Sequence, residues 1–467
     1  MSLRTILRAL GVGILMIAAA HLAPILVALV REPAAKDAYL FSAAVSGLAG
    51  GGLYVIGGRR RRADDLREAI LFICLWWVIA PLFAAAPFAL TGATPAAAAF
   101  ESLSALTTTG AWLSETAARE SPAGVMWRAT LQWVGGLATL AFAAAVLVRP
   151  LFVGIETVPP RFARREDNSY FTAMQTALGY LAPAYGALTA IGAIILAVAG
   201  FDALGSIATA MSLASSGGFL VDADALDAPS LAVAGALFPL LLVGGVNFAL
   251  IAAVADNARP RRADSETAAY FLIVIALAAA LWAFGAPTDG QAEGEPWRHI
   301  LNAASLASTN AVVIGDVPNL ALALIAVVIG GSAVSTAGGL KVLRWLVLFR
   351  RVREELARLV SPRAVFGRPF VEVELGVWMH FIAFTFVLAG LTVIGLAGGA
   401  EFDLAAAGAV GALANAGPAL ALVEGGEMGY GAFKNGAHLA ALAGAMVLGR
   451  IEAIAALALF NLSFWRS

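Results

Sequence analysis

One pattern occurs four times along the chain and restricts its fold more than any other feature. Each copy has a long apolar run, an apolar stretch of about 12 residues, a short segment rich in Ser, Thr, Gly or Asn, and a second long apolar run. The first copy reads Leu66–Leu90, Pro95–Leu106, Thr107-Thr108-Thr109-Gly110-Ala111 and Gly124–Val148. The second reads Tyr170–Ala199, Asp202–Ala214, Ser215-Ser216-Gly217-Gly218-Phe219 and Ser230–Ala255. The third reads Ala268–Phe284, Trp297–Ala307, Ser308-Thr309-Asn310-Ala311 and Asn319–Phe349. The fourth reads Val371–Leu396, Phe402–Ala414, Asn415-Ala416-Gly417-Pro418 and Ala437–Leu462. The long runs suit helices that span a bilayer, which takes about 20 apolar residues, and the short ones suit half-helices that enter and turn back. Placing Gly110, Gly218, Asn310 and Gly417 in equivalent positions gives a period of about 100 residues. In the second copy Gly217 competes with Gly218, which is preferred because it precedes Phe219 as Gly110 precedes Ala111.

Composition agrees. Of the 467 residues 60% are hydrophobic and 13% charged, against roughly 25% charged in soluble domains. Two further apolar runs, Thr5–Val30 and Ala38–Gly57, precede the repeats. The first is too long for a signal-peptide core and reads as a retained helix. The expected architecture is an all-α polytopic membrane protein: two N-terminal helices (1–62), then four helix–pore-loop–helix repeats (63–165, 166–262, 263–367 and 368–467) around one central pore. A half-helix followed by a polar turn carries backbone carbonyls to mid-membrane, and four such turns around an axis make a carbonyl ring that can replace an ion's hydration shell.

The third repeat carries a second irregularity. Gly330–Arg344, GGSAVSTAGGLKVLR, interrupts its second apolar run with Ser332, Ser335, Thr336, Gly338 and Gly339. In lipid an unwound backbone leaves polar groups unsatisfied, so such a segment survives only buried in protein or lining an aqueous path. Gly330–Gly339 is therefore expected to be non-helical and to obstruct the pathway. Arg450 and Glu452, in the last apolar run, are a functional-site candidate, because intramembrane charges rarely face lipid. The alternative is snorkelling to the cytoplasmic interface. About 16 residues separate Arg450 from the chain end, roughly 24 Å of helix, which is far for that. Lys341 either belongs to the interruption or marks the cytoplasmic end of the broken helix.

Charge orients the chain. Basic clusters at Arg59–Arg62 with Arg67, at Arg161, Arg164 and Arg165, at Arg259, Arg261 and Arg262, and from Arg344 to Arg368 fall on one face, which the positive-inside rule makes cytoplasmic. Arg31, Lys36, Arg119, Arg128, Arg298 and Lys434 fall on the other. The outer loops carry Glu115, Glu120, Asp222, Asp224, Asp227, Asp316, Glu424 and Glu427, an acidic mouth that would concentrate cations if these carboxylates are more than ordinary solvated loop charges. A net charge of −1 points to no nucleic acid. One cysteine, Cys74, excludes an intramolecular disulfide framework, and His21, His299, His380 and His438 show no ligand spacing. With no nucleophile–base pair and no phosphate-cradling loop, the chain does not read as an enzyme.

These motifs together resemble the Trk/Ktr/HKT superfamily of cation transporters, and within it the TrkH-type potassium-uptake subunits of bacteria. The resemblance spans the whole chain. It rests on Thr107–Ala111 as first filter, Gln132-Trp133-Val134-Gly135-Gly136, the loop Ser332–Arg344, Asn415–Pro418 as fourth filter, and Gly449-Arg450-Ile451-Glu452 with Phe464-Trp465-Arg466. The resemblance implies a monovalent-cation filter of Thr108, Thr109, Gly110, Ser216, Gly217, Gly218, Ser308, Thr309, Asn310, Asn415, Ala416 and Gly417. It implies a gate at 330–340 involving Gly331, Ser335, Thr336, Gly338, Gly339, Lys341 and Arg450. It also implies K+ as the transported ion, a homodimer in the bacterial inner membrane, and a cytoplasmic nucleotide-binding regulatory subunit of the TrkA type.

Asn310 at a filter-glycine position departs from that family. Asn tolerates left-handed backbone better than other non-glycine residues, yet its side chain would enter the pore region or compete for hydrogen bonds. Plant members with serine at one filter glycine pass Na+, so two alternatives stand beside potassium uptake: a sodium-permeable or weakly selective channel, and a non-conducting regulatory subunit. A secondary transporter with broken midplane helices is disfavoured by four similar repeats, where two matched halves are usual.

Overall fold

A computed structural model describes residues 2–58, 66–114, 120–147, 169–221, 229–255, 265–284, 296–315, 319–360, 371–423 and 426–451. The described regular structure is helical. Helices Leu3–Ala20, Leu22–Arg31 and Lys36–Gly57 precede the repeats. The first long apolar run continues as one span, Leu3–Arg31, through a turn at His21, whose ring bonds the Ile17 carbonyl and Ser42 Oγ, each at 2.8 Å.

Each repeat opens with an outer helix: Leu66–Ala84 continued by Ala86–Leu90, then Tyr170–Val198, Ser265–Phe284 and Val371–Ala397. Each outer helix leads to a half-helix: Pro95–Leu106, Ala203–Ala214, Pro296–Ala307 and Phe402–Leu413. Every half-helix is 12 residues long, about 18 Å, well short of a hydrocarbon core of about 30 Å. Thr94 and Asp202 cap two of them, accepting from the amides of Ala97 and Gly205, which satisfies donors that would otherwise be orphaned. Each half-helix ends where a polar turn begins, so its negative dipole end faces the turn.

The inner helices differ. That of the first repeat, Pro122–Phe142, is buried along its length and runs into a π-helical turn, Ala143–Leu147. That of the second is split into Leu231–Val243 and Phe248–Ala255, which the unbroken apolar run did not announce. That of the third is split into Leu320–Ile329 and Val342–Val360, and that of the fourth is described over Gly436–Ile451. Among the described residues seven helices are long and apolar enough to cross a membrane. The protein is a multi-pass membrane protein with two N-terminal spans, Leu3–Arg31 and Lys36–Gly57, before four helix–turn–helix repeats, as expected. The polar side chains of the turns and of the interruption in the third repeat are fully buried.

Candidate functional site

Backbone hydrogen bonds fix the register of the four turns. The amides of Thr108, Ser216, Thr309 and Asn415 donate to the carbonyls of Ala105, Leu213, Leu306 and Ala412 at 2.9, 3.1, 3.1 and 3.4 Å. Ser104 Oγ donates to the Ala111 carbonyl at 2.7 Å, Ser305 Oγ donates to the Val312 carbonyl at 2.8 Å, and Ser212 Oγ accepts from the Phe219 amide at 2.7 Å. Equivalent residues are therefore Thr108, Ser216, Thr309 and Asn415, then Thr109, Gly217, Asn310 and Ala416, then Gly110, Gly218, Ala311 and Gly417.

This register corrects the third filter. The glycine position there is Ala311, not Asn310. Ala311 adopts φ 53°, beside Gly110 at 70° and Gly218 at 62°, while Asn310 is not left-handed. Ser308 then falls one step before the turn's first position, level with Thr107, Ser215 and Ala414. The cause is the half-helix: it ends at Ala307 as the first ends at Leu106, so the fourth residue beyond it, Ala311, matches Gly110.

The first positions are left-handed as well, at φ 52°, 58°, 58° and 53° for Thr108, Ser216, Thr309 and Asn415. Left-handed residues thus alternate with others, an arrangement that turns peptide groups of a short segment toward one side. Gly417 breaks the pattern: it lacks a positive φ and opens a 3-10 turn, Gly417–Leu422.

The turns close a ring. A Cβ on Gly110 would lie 1.8 Å from the Gly217 carbonyl oxygen, and one on Gly218 would lie 2.0 Å from that of Asn310. Glycine is required at both by space and by φ. The Gly417 amide donates to the Thr109 carbonyl at 2.6 Å, joining the fourth turn to the first. Ala311, Ala416 and Ala419 share one apolar cluster at the seam of the third and fourth. Asn310 lies in the seam of the second and third. Its Oδ1 accepts from the Gly218 amide at 3.2 Å, and its Nδ2 donates to Ser308 Oγ at 2.9 Å and to the Leu213 carbonyl at 3.5 Å. Its amide thus competes for hydrogen bonds within the ring.

From Gly330 to Lys341 the chain is non-helical, and Gly330–Gly338 is buried. This segment touches the second, third and fourth turns, and Arg450 links it to the first. Thr336 Oγ1 lies 2.9 Å from Ser216 Oγ and 3.0 Å from the carbonyls of Ala214 and Gly244. The Gly338 amide donates to Thr309 Oγ1 at 2.8 Å, and a Cβ there would sit 1.8 Å from the Ala414 carbonyl. Arg450 completes the set. It donates from Nε to the Thr107 carbonyl at 2.6 Å and from Nη1 to the Thr336 carbonyl at 2.7 Å, with Nη2 on Thr108 Oγ1. It is 4% exposed, so it does not snorkel.

The break in the second repeat's inner helix serves the same segment. The Gly245 carbonyl accepts from Ser332, the Gly244 carbonyl from Ala337, and the Phe248 amide donates to Val334, at 2.9, 3.1 and 2.8 Å. A Cβ on Gly331 would lie 2.9 Å from Gly245 Cα. Glu266 Oε1 accepts from the Ala333 amide at 2.6 Å, and Ser335 Oγ donates to the Ser332 carbonyl at 2.6 Å. Gly339 is left-handed at φ 72°.

Several side-chain contacts of the site were not foreseen from the sequence, although Asn415 itself was expected there. Gln132 Nε2 donates to the Gly217 carbonyl at 3.3 Å. Asn415 Nδ2 donates to Thr109 Oγ1 at 3.0 Å and to the Met446 carbonyl at 2.8 Å. Arg128, expected on the outer face, pairs inside the protein with Glu101 at 3.1 Å. The adjacent glycines Gly244 and Gly245 were the available signal for the helix break. Of the expected acidic mouth, Glu115, Asp222, Asp224, Asp227, Asp316 and Glu424 lie outside the described residues, as do Arg59–Arg62, Arg161, Arg164, Arg165, Arg259, Arg261, Arg262, Arg363, Arg368, Glu452 and Phe464-Trp465-Arg466.

Fold and site together define a multi-pass membrane transport protein of the four-turn, re-entrant class. No protein-family model matches the chain. The Trk system potassium uptake protein TrkH of Halomonas elongata is 30% identical over 498 residues, covering 100% of both chains. TrkH of Escherichia coli K12 is 28% identical over 488 residues, again covering 100% of both. The crystal structure of the potassium transporter TrkH from Vibrio parahaemolyticus superposes with a TM-score of 0.83 at 27% identity and 100% coverage of each chain. The chain belongs to the TrkH family of Trk-type potassium transporters.

Proposed function

We propose that this protein is the potassium-uptake subunit of a Trk system, passing K+ inward through the ring of four turns in the bacterial inner membrane. The observation that carries this reading is the ring itself: four turns of matched register, each at the negative end of a 12-residue half-helix. Relatives named as potassium uptake proteins along the full chain support the choice of ion. The membrane potential supplies about 2.3 kcal/mol per charge per 100 mV, so the chain needs no chemistry of its own to draw a cation inward.

The segment 330–340 acts as the gate, latched to the ring by Thr336, Gly338 and Arg450. A homodimer, with a TrkA-type nucleotide-binding subunit docked on the cytoplasmic face, completes the assembly.

A second reading is a weakly selective or sodium-permeable pathway. Its support is Ala311 in a left-handed conformation at the third glycine position, with the Asn310 amide tied into the neighbouring turn. The bond from Gly417 to the Thr109 carbonyl favours a third, a non-conducting regulatory subunit. Uptake of K+ and Na+ by a potassium-transport-deficient strain, with wild type, Asn310→Gly and Ala311→Gly, separates them. Potassium-selective rescue by wild type is expected. A membrane-inserted wild type that moves neither ion refutes both conducting readings. Equal uptake of the two ions favours the second.

A further inference from the structure

Three consecutive carbonyls of the interrupting segment are capped by the protein's own cations. Arg450 Nη1 donates to Thr336 O at 2.7 Å. Lys341 Nζ donates to Ser335 O at 3.4 Å and also to Ala337 O. Lys341 is itself left-handed, at φ 71°, a conformation an L side chain rarely takes. That backbone turns the chain from Gly339 into the helix Val342–Val360 and lets the ammonium fold back on the segment, four and six residues behind it. A lysine that merely marked a helix end would extend toward solvent, as long cationic side chains near membrane interfaces do. Strained residues persist where surrounding structure over-determines them, and such positions cluster at clamps and switches.

Backbone carbonyls grouped at membrane depth, with water excluded, are the ligands that replace a cation's hydration shell. We infer that the carbonyls of Ser335 and Ala337 form a cation site next to the filter ring, beside the Thr336 carbonyl that Arg450 holds, and that Lys341 fills it as a tethered competitor. Its ligand class is a dehydrated monovalent cation. In the latched conformation the ammonium holds the carbonyls; once it is removed, a permeating ion takes them. The inference rests on the gate reading above and adds a ligand and a residue to it.

The test uses full-length protein, wild type, Lys341→Met and Lys341→Arg, with two measurements. One is rubidium flux into proteoliposomes. The other is the rise in thermal midpoint when N-methylglucamine is replaced by rubidium, since a ligand that binds only the folded state stabilises it. Lys341→Met is expected to pass rubidium several-fold faster than wild type and to gain more rubidium-dependent stabilisation. Lys341→Arg is expected to stay near wild type in both. A folded Lys341→Met with no gain in stabilisation overturns the cation site, even if its flux rises, because the loop would then only have loosened. Flux at or below wild type overturns the competitor role. If no variant, wild type included, carries rubidium, the transport reading fails, while the stabilisation comparison still decides the site. Should Lys341→Met not assemble, Lys341→Gln carries the same expectations.

Discussion

The Arg450 guanidinium spans the gap between the last helix and the Thr336 carbonyl, reaching it at 2.7 Å. The same group holds the Thr107 carbonyl of the first turn, so the interrupting segment and the ring share one donor. Arg450→Gln loses the fork that serves both. Buried acceptors left unpaired cost about 1–3 kcal/mol each, so the latched form is the one that loses stability. Rubidium flux in proteoliposomes is expected to rise, and the thermal midpoint to fall. Arg450→Lys is expected to fall between, because an ammonium lacks the planar fork. Flux in Arg450→Gln equal to wild type, with the protein folded, argues against a latch.

Glycine is not interchangeable around the ring. Gly110→Ala and Gly218→Ala place a methyl on a neighbouring carbonyl and add a left-handed penalty of roughly 1–2 kcal/mol. Both are expected to abolish potassium-dependent growth of a transport-deficient strain while still reaching the membrane. Ala311→Gly removes strain at the equivalent position and is expected to retain growth. Loss of growth with Ala311→Gly would show that the alanine is needed.

Gln132 offers a finer control. Its Nε2 is a donor to the Gly217 carbonyl, and a hydrogen bond of this kind is worth about 0.5–1.5 kcal/mol net. Gln132→Leu is expected to shift the rubidium-to-sodium uptake ratio by about two- to tenfold, with little change in the amount of folded protein. An unchanged ratio would mean that this carbonyl plays no part in choosing the ion.

The buried pair Glu101–Arg128 braces the first half-helix against its inner helix, and Glu101 also accepts from the Leu113 amide at 2.9 Å. Breaking one side of such a pair costs about 3–5 kcal/mol. Glu101→Leu is expected to lower the thermal midpoint in detergent sharply. The double variant with Arg128→Met is expected to recover part of the loss, because no uncompensated charge remains. A double variant no better than the single one would mean the two charges act independently.

The fold was legible because its constraints are written as lengths. Runs that span, 12-residue runs that cannot, and the polar interruption at Gly330 each have one workable solution in lipid. Arg450 was legible because its burial needed partners, and the structure supplies them from two elements. The third filter's register was not. Asn is the residue that most readily imitates glycine in left-handed backbone, and the half-helix end at Ala307, which decides the matter, leaves only a weak mark in the sequence. The helix break at Gly244–Gly245 stayed hidden for a different reason: its polar groups are satisfied by a segment some ninety positions later, so hydropathy shows an unbroken run.

On the proposed function, a monovalent cation crosses through the ring of turns. Rubidium uptake into proteoliposomes under an imposed inside-negative potential tests it most directly, with wild type beside Gly110→Ala. Uptake by wild type is expected to grow with the potential and to disappear in Gly110→Ala. Equal uptake by the two folded proteins, or none by wild type at any potential, would contradict it.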